Sequence, residues 1–229
     1  VGPVAAVIPF YNEAPENLAA CLRSVLGQTR PVDRIYVIDD GSTDTRALHV
    51  AQQVLSASGH PGVVVHRLDR NRGKRHAQAW AFRRLRTDLV MTVDSDTILH
   101  PRALHEAVRG FTDPDVQGVT GNVQAHNADT NLPTRLTSLR YANAFLWERA
   151  AYSAVGSVLC ACGSLSVWRR SLIERHLDDY VDQRFLGIPV RDGGGGRLPI
   201  YALPEGRVLF QDTAIAYPTV PERFRHYAN

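Results

Sequence analysis

Val90-Met91-Thr92-Val93-Asp94-Ser95-Asp96 is a short apolar run that ends abruptly on two carboxylates. An unbroken apolar run of this length reads as a strand buried on both faces, the kind found inside parallel sheets. Three more runs share this character: residues 4–8, 34–38 and 62–68. Between them lie helical patterns. Leu18, Cys21, Leu22, Val25 and Leu26 recur at helical spacing, residues 43–57 read as a helix with Gly59 beyond its end, and residues 74–86 read as another. Pro101 suits the first residue of the next helix, residues 116–124 are strand-like, and residues 132–154 form a long helical pattern. Strands alternating with helices predict an α/β fold: a mostly parallel, Rossmann-like sheet with helices on both faces.

In such sheets ligands bind beyond the carboxyl ends of the strands. The polar clusters fall at those ends: Asn12-Glu13 after the first strand, Asp39-Asp40 after the second, and Asp94-Ser95-Asp96 after the fourth. Carboxylates two apart beyond a strand can share a hard cation such as Mg²⁺ or Mn²⁺, which prefers oxygen and commonly bridges protein to phosphate. In Asp39-Asp40-Gly41-Ser42-Thr43-Asp44, Gly41 permits a tight turn, and a carboxylate can accept from a base or ribose. The plainer reading makes Ser42 or Thr43 a helix cap. Pro9-Phe10-Tyr11-Asn12-Glu13 offers an aromatic wall and polar atoms. Asn71-Arg72-Gly73-Lys74-Arg75 opens a helix, where backbone N–H groups and a cation suit a diphosphate.

Composition narrows the field. The 229 residues are 44% hydrophobic, and the net charge is +3. No apolar run is long enough to span a bilayer. Three cysteines supply no disulfide framework, and a reducing cytoplasmic setting is the default. Cys160 and Cys162 stand too close together for a zinc knuckle and read as small residues packed near a site. Of 26 basic residues only Lys74 is lysine, which hints that a compact ammonium is wanted there. The basic stretch from Arg67 to Arg86 lacks an interleaved aromatic platform, so nucleic acid is not expected as a partner.

The four strand-end motifs, in this order, resemble family 2 glycosyltransferases of the GT-A fold. Asn71-x-Gly73-Lys74-Arg75-His76-Ala77-Gln78, Trp147-Glu148-Arg149-Ala150, Cys162-Gly163-Ser164-Leu165-Ser166-Val167-Trp168-Arg169, Arg184-Phe185-Leu186-Gly187 and Asp212-Thr213-Ala214 narrow the likeness to the hyaluronan synthase, chitin synthase and NodC-like branch. The resemblance implies inverting transfer from a UDP-sugar, UDP-N-acetylglucosamine or UDP-glucuronate, to a growing polysaccharide. It implies nucleotide-sugar binding by Pro9, Tyr11, Glu13, Asp40, Lys74, Arg75, Asp94 and Ser95, with Mg²⁺ or Mn²⁺ on Asp96. Cys162, Gly163 and Ser164 would lie by the donor sugar or the acceptor end. Trp147, Glu148 and Arg149 would help present the acceptor.

On this reading residues 1–229 are a single GT-A domain, a fragment of a longer protein. Residues 1–125 form the nucleotide-sugar half and residues 126–229 the acceptor and catalytic half. Flanking membrane helices would hold it at the cytoplasmic face of the plasma membrane. The sequence departs from the family at one place. The general base is expected in a Gly-Asp-Asp-Arg stretch, yet alignment on Leu198 and Tyr201-Ala202-Leu203 puts four glycines, residues 193–196, there. Asp192 is the neighbouring carboxylate and the candidate substitute. The family's Gln-x-x-Arg-Trp motif is expected beyond Asn229. Both departures fall on transfer rather than on donor binding.

Overall fold

The computed structural model describes residues 1–182, 184–185, 188–189 and 196–223. Asp192 and three of the four glycines therefore lie outside the described residues. The chain begins β1 (Val4–Phe10), α1 (Pro15–Leu26), β2 (Arg34–Asp39), α2 (Arg46–Ala57), β3 (Val63–Arg67), α3 (Lys74–Phe82) and β4 (Leu89–Thr92). Next come β5 (Thr97–Leu99), α4 (Ala103–Val108), a 3-10 turn (Arg109–Thr112) and β6 (Val116–Val123). A long helical rod follows, made of α5 (Leu132–Ala142), a π segment (Asn143–Arg149) and α6 (Ala150–Ala154). The chain then forms β7 (Ser166–Arg169), α7 (Arg170–Val181), a small hairpin of β8 (Arg184–Phe185) and β9 (Ile188–Pro189), α8 (Arg197–Ala202) and β10 (Arg207–Pro218).

The main sheet has eight strands in the order β3-β2-β1-β4-β7-β6-β10-β5. Its β3-β2-β1-β4 half is parallel throughout. β7 runs antiparallel to both β4 and β6, β10 is parallel to β6, and β5 is antiparallel to β10. The side-chain period of two explains how one strand serves two cores. Val4, Ala6 and Ile8 of β1 pack with α1, α2 and α4, whereas Ala5 and Val7 pack with α3, α7 and α8. Every residue of β1 is buried, which is why its sequence is apolar without alternation.

Three helix boundaries differ from the sequence expectation, each for a local reason. The second helix begins at Arg46 rather than Thr43, because the Thr43 N–H and hydroxyl both donate to Asn12 Oδ1, at 2.9 and 3.1 Å. Neither Ser42 nor Thr43 is a cap. The third ends at Phe82 rather than Arg86, because the chain tightens into i→i+3 bonds from Arg84 N–H to Ala81 and Leu85 N–H to Phe82. Pro101 lies in a turn before α4 instead of opening it, and its carbonyl accepts from Thr29 N–H at 2.8 Å.

Candidate functional site

The turns that follow β1, β2 and β4 meet beyond one edge of the sheet, and each is stitched to the next. After β1, Asn12 takes a left-handed backbone (φ 48°), a conformation asparagine tolerates better than most residues. Its N–H donates to Ser42 Oγ at 2.9 Å, while its side chain accepts from Thr43. After β2, Asp39 Oδ1 accepts from Ser42 N–H at 2.8 Å, and the Arg67 guanidinium lies 3.3 Å from Asp39 Oδ2. Gly41 has φ 69°, and a Cβ there would lie 2.4 Å from the Arg70 carbonyl carbon. Only glycine lets the 70–73 loop come so close.

Asp40 is the tie that holds that loop. Its two oxygens accept from the N–H groups of Arg72 and Gly73, at 2.9 and 2.8 Å. Burial raises the Asp40 carboxyl above the usual carboxylate range, and the two N–H donors partly oppose the shift. The loop then delivers Lys74, the first residue of α3, against the Asp94 carboxylate, with which it forms a close ion pair.

Glu13 and Ser95 join the first turn to the third: Ser95 Oγ donates to Glu13 Oε2 at 2.7 Å. Asp96 is pushed up to about 6, first by burial and then by the neighbouring Asp94 and Glu13 carboxylates. The three acids thus crowd one another, and Lys74 is the cation paired with Asp94. Behind them the Cys21 thiol is raised far above its usual range, mainly by burial, so it stays a neutral packing group.

These turns enclose a cleft of about 560 Å³ lined by Pro9, Phe10, Tyr11, Glu13, Asp40, Asn71, Arg72, Gly73, Lys74, Asp94, Ser95 and Asp96. Of the residues expected to hold a nucleotide sugar, it gathers all but Arg75. Arg75 is buried on α3 and does not line the cleft. Arg72, which the sequence reading passed over, does. The loop before the helix faces the cleft, and the helix turns Arg75 inward.

The antiparallel β7 brings in the second expected cluster. Ser166 pairs with Thr92, so the loop that precedes Ser166 arrives beside the end of β4. Gly163 sits against the Asp94–Lys74 pair, where a Cβ would lie 2.5 Å from Asp94 Oδ2 and 2.9 Å from Lys74 Nζ. Cys162 N–H donates to Thr120 Oγ1 at 3.0 Å, and burial raises its thiol. Ser164 is buried beside them and Cys160 is exposed. A cavity of about 20 Å³, lined in part by Lys74, Gln78, Cys162 and Gly163, lies behind the ion pair. It has room for about one water molecule.

The third cluster is not part of the cleft. Trp147 is 75% exposed on the π segment, and Glu148 accepts from Asn143. Arg149 alone reaches toward the site: it lies over the Phe145 ring and its Nε donates to the Cys160 carbonyl at 3.0 Å.

Among the described residues no three His, Cys, Asp or Glu side chains form a ready-made metal-ligand set. The crowded oxygen donors of Asp94 and Asp96 nonetheless fit a hard divalent ion that takes one or two carboxylates from protein and the rest from phosphate and water.

An α/β sheet of this order, with acids and a helix-terminal lysine at its strand ends, has the architecture of a GT-A glycosyltransferase. The model of the family "Glycosyl transferase family 2" matches residues 5–177, and the chain belongs to that family. Within it the chain is hyaluronan synthase-like. It is 46% identical over 226 residues to a hyaluronan synthase of Streptococcus pyogenes, a match covering 98% of this chain and 54% of that protein. It is 38% identical over 226 residues to an N-acetylglucosaminyltransferase of Rhizobium sp. (strain N33), covering 98% and 50%. The chain therefore spans about half the length of the curated relatives it matches. The fold is also that of the mannosyltransferase PcManGT from Pyrobaculum calidifontis, solved in complex with GDP-Man and Mn²⁺. The TM-score is 0.76 at 23% identity, over 99% of this chain and 59% of that one.

Proposed function

We propose that the cleft binds a UDP-sugar, UDP-N-acetylglucosamine or UDP-glucuronate, together with Mg²⁺ or Mn²⁺, for inverting transfer to a growing polysaccharide. One observation carries this reading. Asp40 anchors the loop that sets Lys74 at a helix N-terminus, across a single cleft from Asp94 and Asp96. Residues 1–125 would serve the donor, and residues 126–229 the acceptor and the chemistry.

In this scheme Pro9 and Tyr11 flank the nucleoside, with Asp40 at the base of that wall. Lys74 neutralises charge on the diphosphate as the bond from the anomeric carbon to the diphosphate oxygen breaks and the acceptor oxygen takes its place. Asp96, assisted by Asp94, would hold the cation, which supplies Lewis-acid stabilisation of the leaving diphosphate. Gly163 keeps the reacting end of the cleft open by leaving Asp94 and Lys74 in contact. Arg149 and the Cys162–Ser164 loop would border the acceptor hydroxyl. In a longer protein, flanking membrane helices would place this arrangement at the cytoplasmic face of the plasma membrane.

A second reading is supported by the sequence at residues 193–196. With glycine where the general base is expected, the chain would bind donor and cation yet transfer sugar poorly, Asp192 being a weak substitute beside four glycines in sequence. Calorimetric titration with each UDP-sugar, with and without Mn²⁺, tests the donor reading. Binding that needs Mn²⁺ and is lost in Asp96→Ala is expected, and metal-independent binding overturns the role given to Asp96. Gly195→Asp tests the second reading: a large gain in transfer marks a disabled catalytic loop.

A further inference from the structure

Trp168 on β7 is anchored along one edge of its ring and unpartnered at its polar atom. The benzo edge lies against β6, where a Cβ on Gly118 would stand 2.3 Å from Cζ3. The residue is 1% exposed, and among the described residues its indole N–H has no hydrogen-bond partner. A buried indole N–H usually finds an acceptor. Packing on Gly118 accounts for the ring but not for the N–H. The same ring lines the cavity of about 20 Å³ behind the Lys74–Asp94 pair. Lys74 lines both that cavity and the donor cleft, so it forms the wall between them. Gln78, four residues on and so on the same face of α3, also lines the cavity. Its Oε1 accepts from the Tyr180 hydroxyl at 2.6 Å. Burial raises the Tyr180 phenol above its usual range, so it stays a neutral donor. A carbonyl oxygen has two lone pairs, and Tyr180 occupies one of them.

We propose that Trp168 and Gln78 are positioning residues that hold the Lys74 ammonium at the cleft through one buried water. A cavity with room for about one water brings the groups around it within a bond of the same point. The water would accept from the Trp168 N–H and from one N–H of Lys74, and would donate to the open lone pair of Gln78 Oε1. Three partners are typical of a buried water. An ammonium carries three N–H groups. Asp94 takes one and the water a second, which leaves the third to point into the cleft. The pair alone would fix that direction poorly, because the Lys74 side chain is 44% exposed on a flexible stem.

This arrangement gives a reason for the single lysine among 26 basic residues. A compact ammonium can face Asp94, the water and the cleft at once, whereas a guanidinium spreads its donors in one plane. The link to donor binding rests on the role given to Lys74 at the diphosphate. The link from Trp168 and Gln78 to Lys74 does not.

The test reads Lys74 directly. Since it is the only lysine, protein carrying isotope-labelled lysine shows it in an NMR spectrum without assignment. A side chain held in one direction gives two separate Hε signals, and a freely turning one gives a merged pair. Separate signals are expected in the parent. Trp168→Phe removes the N–H but keeps an aromatic ring, and Gln78→Met keeps the length but removes the acceptor. Each should merge the pair and weaken UDP binding with Mn²⁺ about fivefold. Gln78→Met gives the answer if Trp168→Phe does not fold. A crystal structure of the parent should show a water within about 3.2 Å of Trp168 Nε1. The proposal is overturned if that site is dry, if the parent pair is already merged, or if the signals stay separate in either folded variant. A lower melting temperature with unmoved Lys74 signals marks a packing role alone and overturns it too. If the signals merge while UDP affinity holds, the positioning stands and the diphosphate role of Lys74 fails.

Discussion

Replacing Asp40 by alanine isolates the contact on which the geometry of the cleft depends. The carboxylate holds two backbone N–H groups, Arg72 and Gly73, at 2.9 and 2.8 Å, and the residue is 2% exposed. A hydrogen bond to a charged group contributes about 1.5–3 kcal/mol. The burial that raises this carboxyl offsets part of that gain, leaving about 2–4 kcal/mol for the pair. In a domain of this size each kcal/mol corresponds to roughly 2–4 °C in melting temperature, so Asp40→Ala should melt about 4–16 °C lower. Asp40→Asn should fall between parent and alanine, because its amide keeps one acceptor but turns an NH2 group toward the second N–H. Calorimetric melting of the three proteins at neutral pH is the assay. Hydrogen exchange at Arg72 and Gly73 reports whether the loop itself is released. If Asp40→Ala melts within about 2 °C of the parent, or those two amides stay protected, Asp40 does not hold the loop and the account of how Lys74 is placed fails.

Gly163→Ala should leave the fold almost unchanged, since the atoms nearest its new methyl belong to the flexible ends of Asp94 and Lys74. By parting that pair it should weaken UDP binding in the presence of Mn²⁺ about tenfold, or ~1.4 kcal/mol; unaltered affinity by calorimetry would remove Gly163 from the site. Glu106→Gln should cost about 1–2 kcal/mol, because a buried carboxylate that accepts from Arg102, Arg109 and Thr213 loses its charge while the two arginines remain largely in water. The Arg109 hydrogen bond, with smaller help from Thr213 and Arg102, holds the Glu106 pKa below its usual value. Its stabilisation is therefore complete above the unfolded value, near 4.3, and disappears as pH falls through the lower folded value. The gap between variant and parent in urea denaturation should close on acidification, and a gap that widens would reverse the assignment.

Much of the parallel half of the sheet was legible because its strands are buried on both faces, and burial of that kind leaves an unbroken apolar run. β7 and β10 were not read as strands. Ser166-Val167-Trp168-Arg169 is short and leads directly into α7, and β10 carries Gln211-Asp212-Thr213 where its pairing with β6 slips. The carboxylates at the strand ends were equally plain, because no core could absorb them. Arg75 lies off the cleft because the motif crosses from loop to helix: residues 71–73 precede α3, whereas Arg75 is its second residue and is buried. The rod at 132–154 was recognisable as a helix, but its period alone does not say which face meets the core. Thr134 and Thr137 point inward through hydrogen bonds to Ala128 and Pro133, and a pattern of apolar spacing does not register those.

The antiparallel course of β7 has an evolutionary corollary. Because β7 enters the sheet beside the end of β4, the loop at residues 155–165 reaches the ion pair while its other end is tethered to a separate helix. Lengthening or exchanging that loop would leave the β3-β2-β1-β4 register untouched. Such a layout lets selection remodel the end of the cleft beside Gly163 without rebuilding the turns around Asp40. Members of the family could thus diverge by changing a single connection.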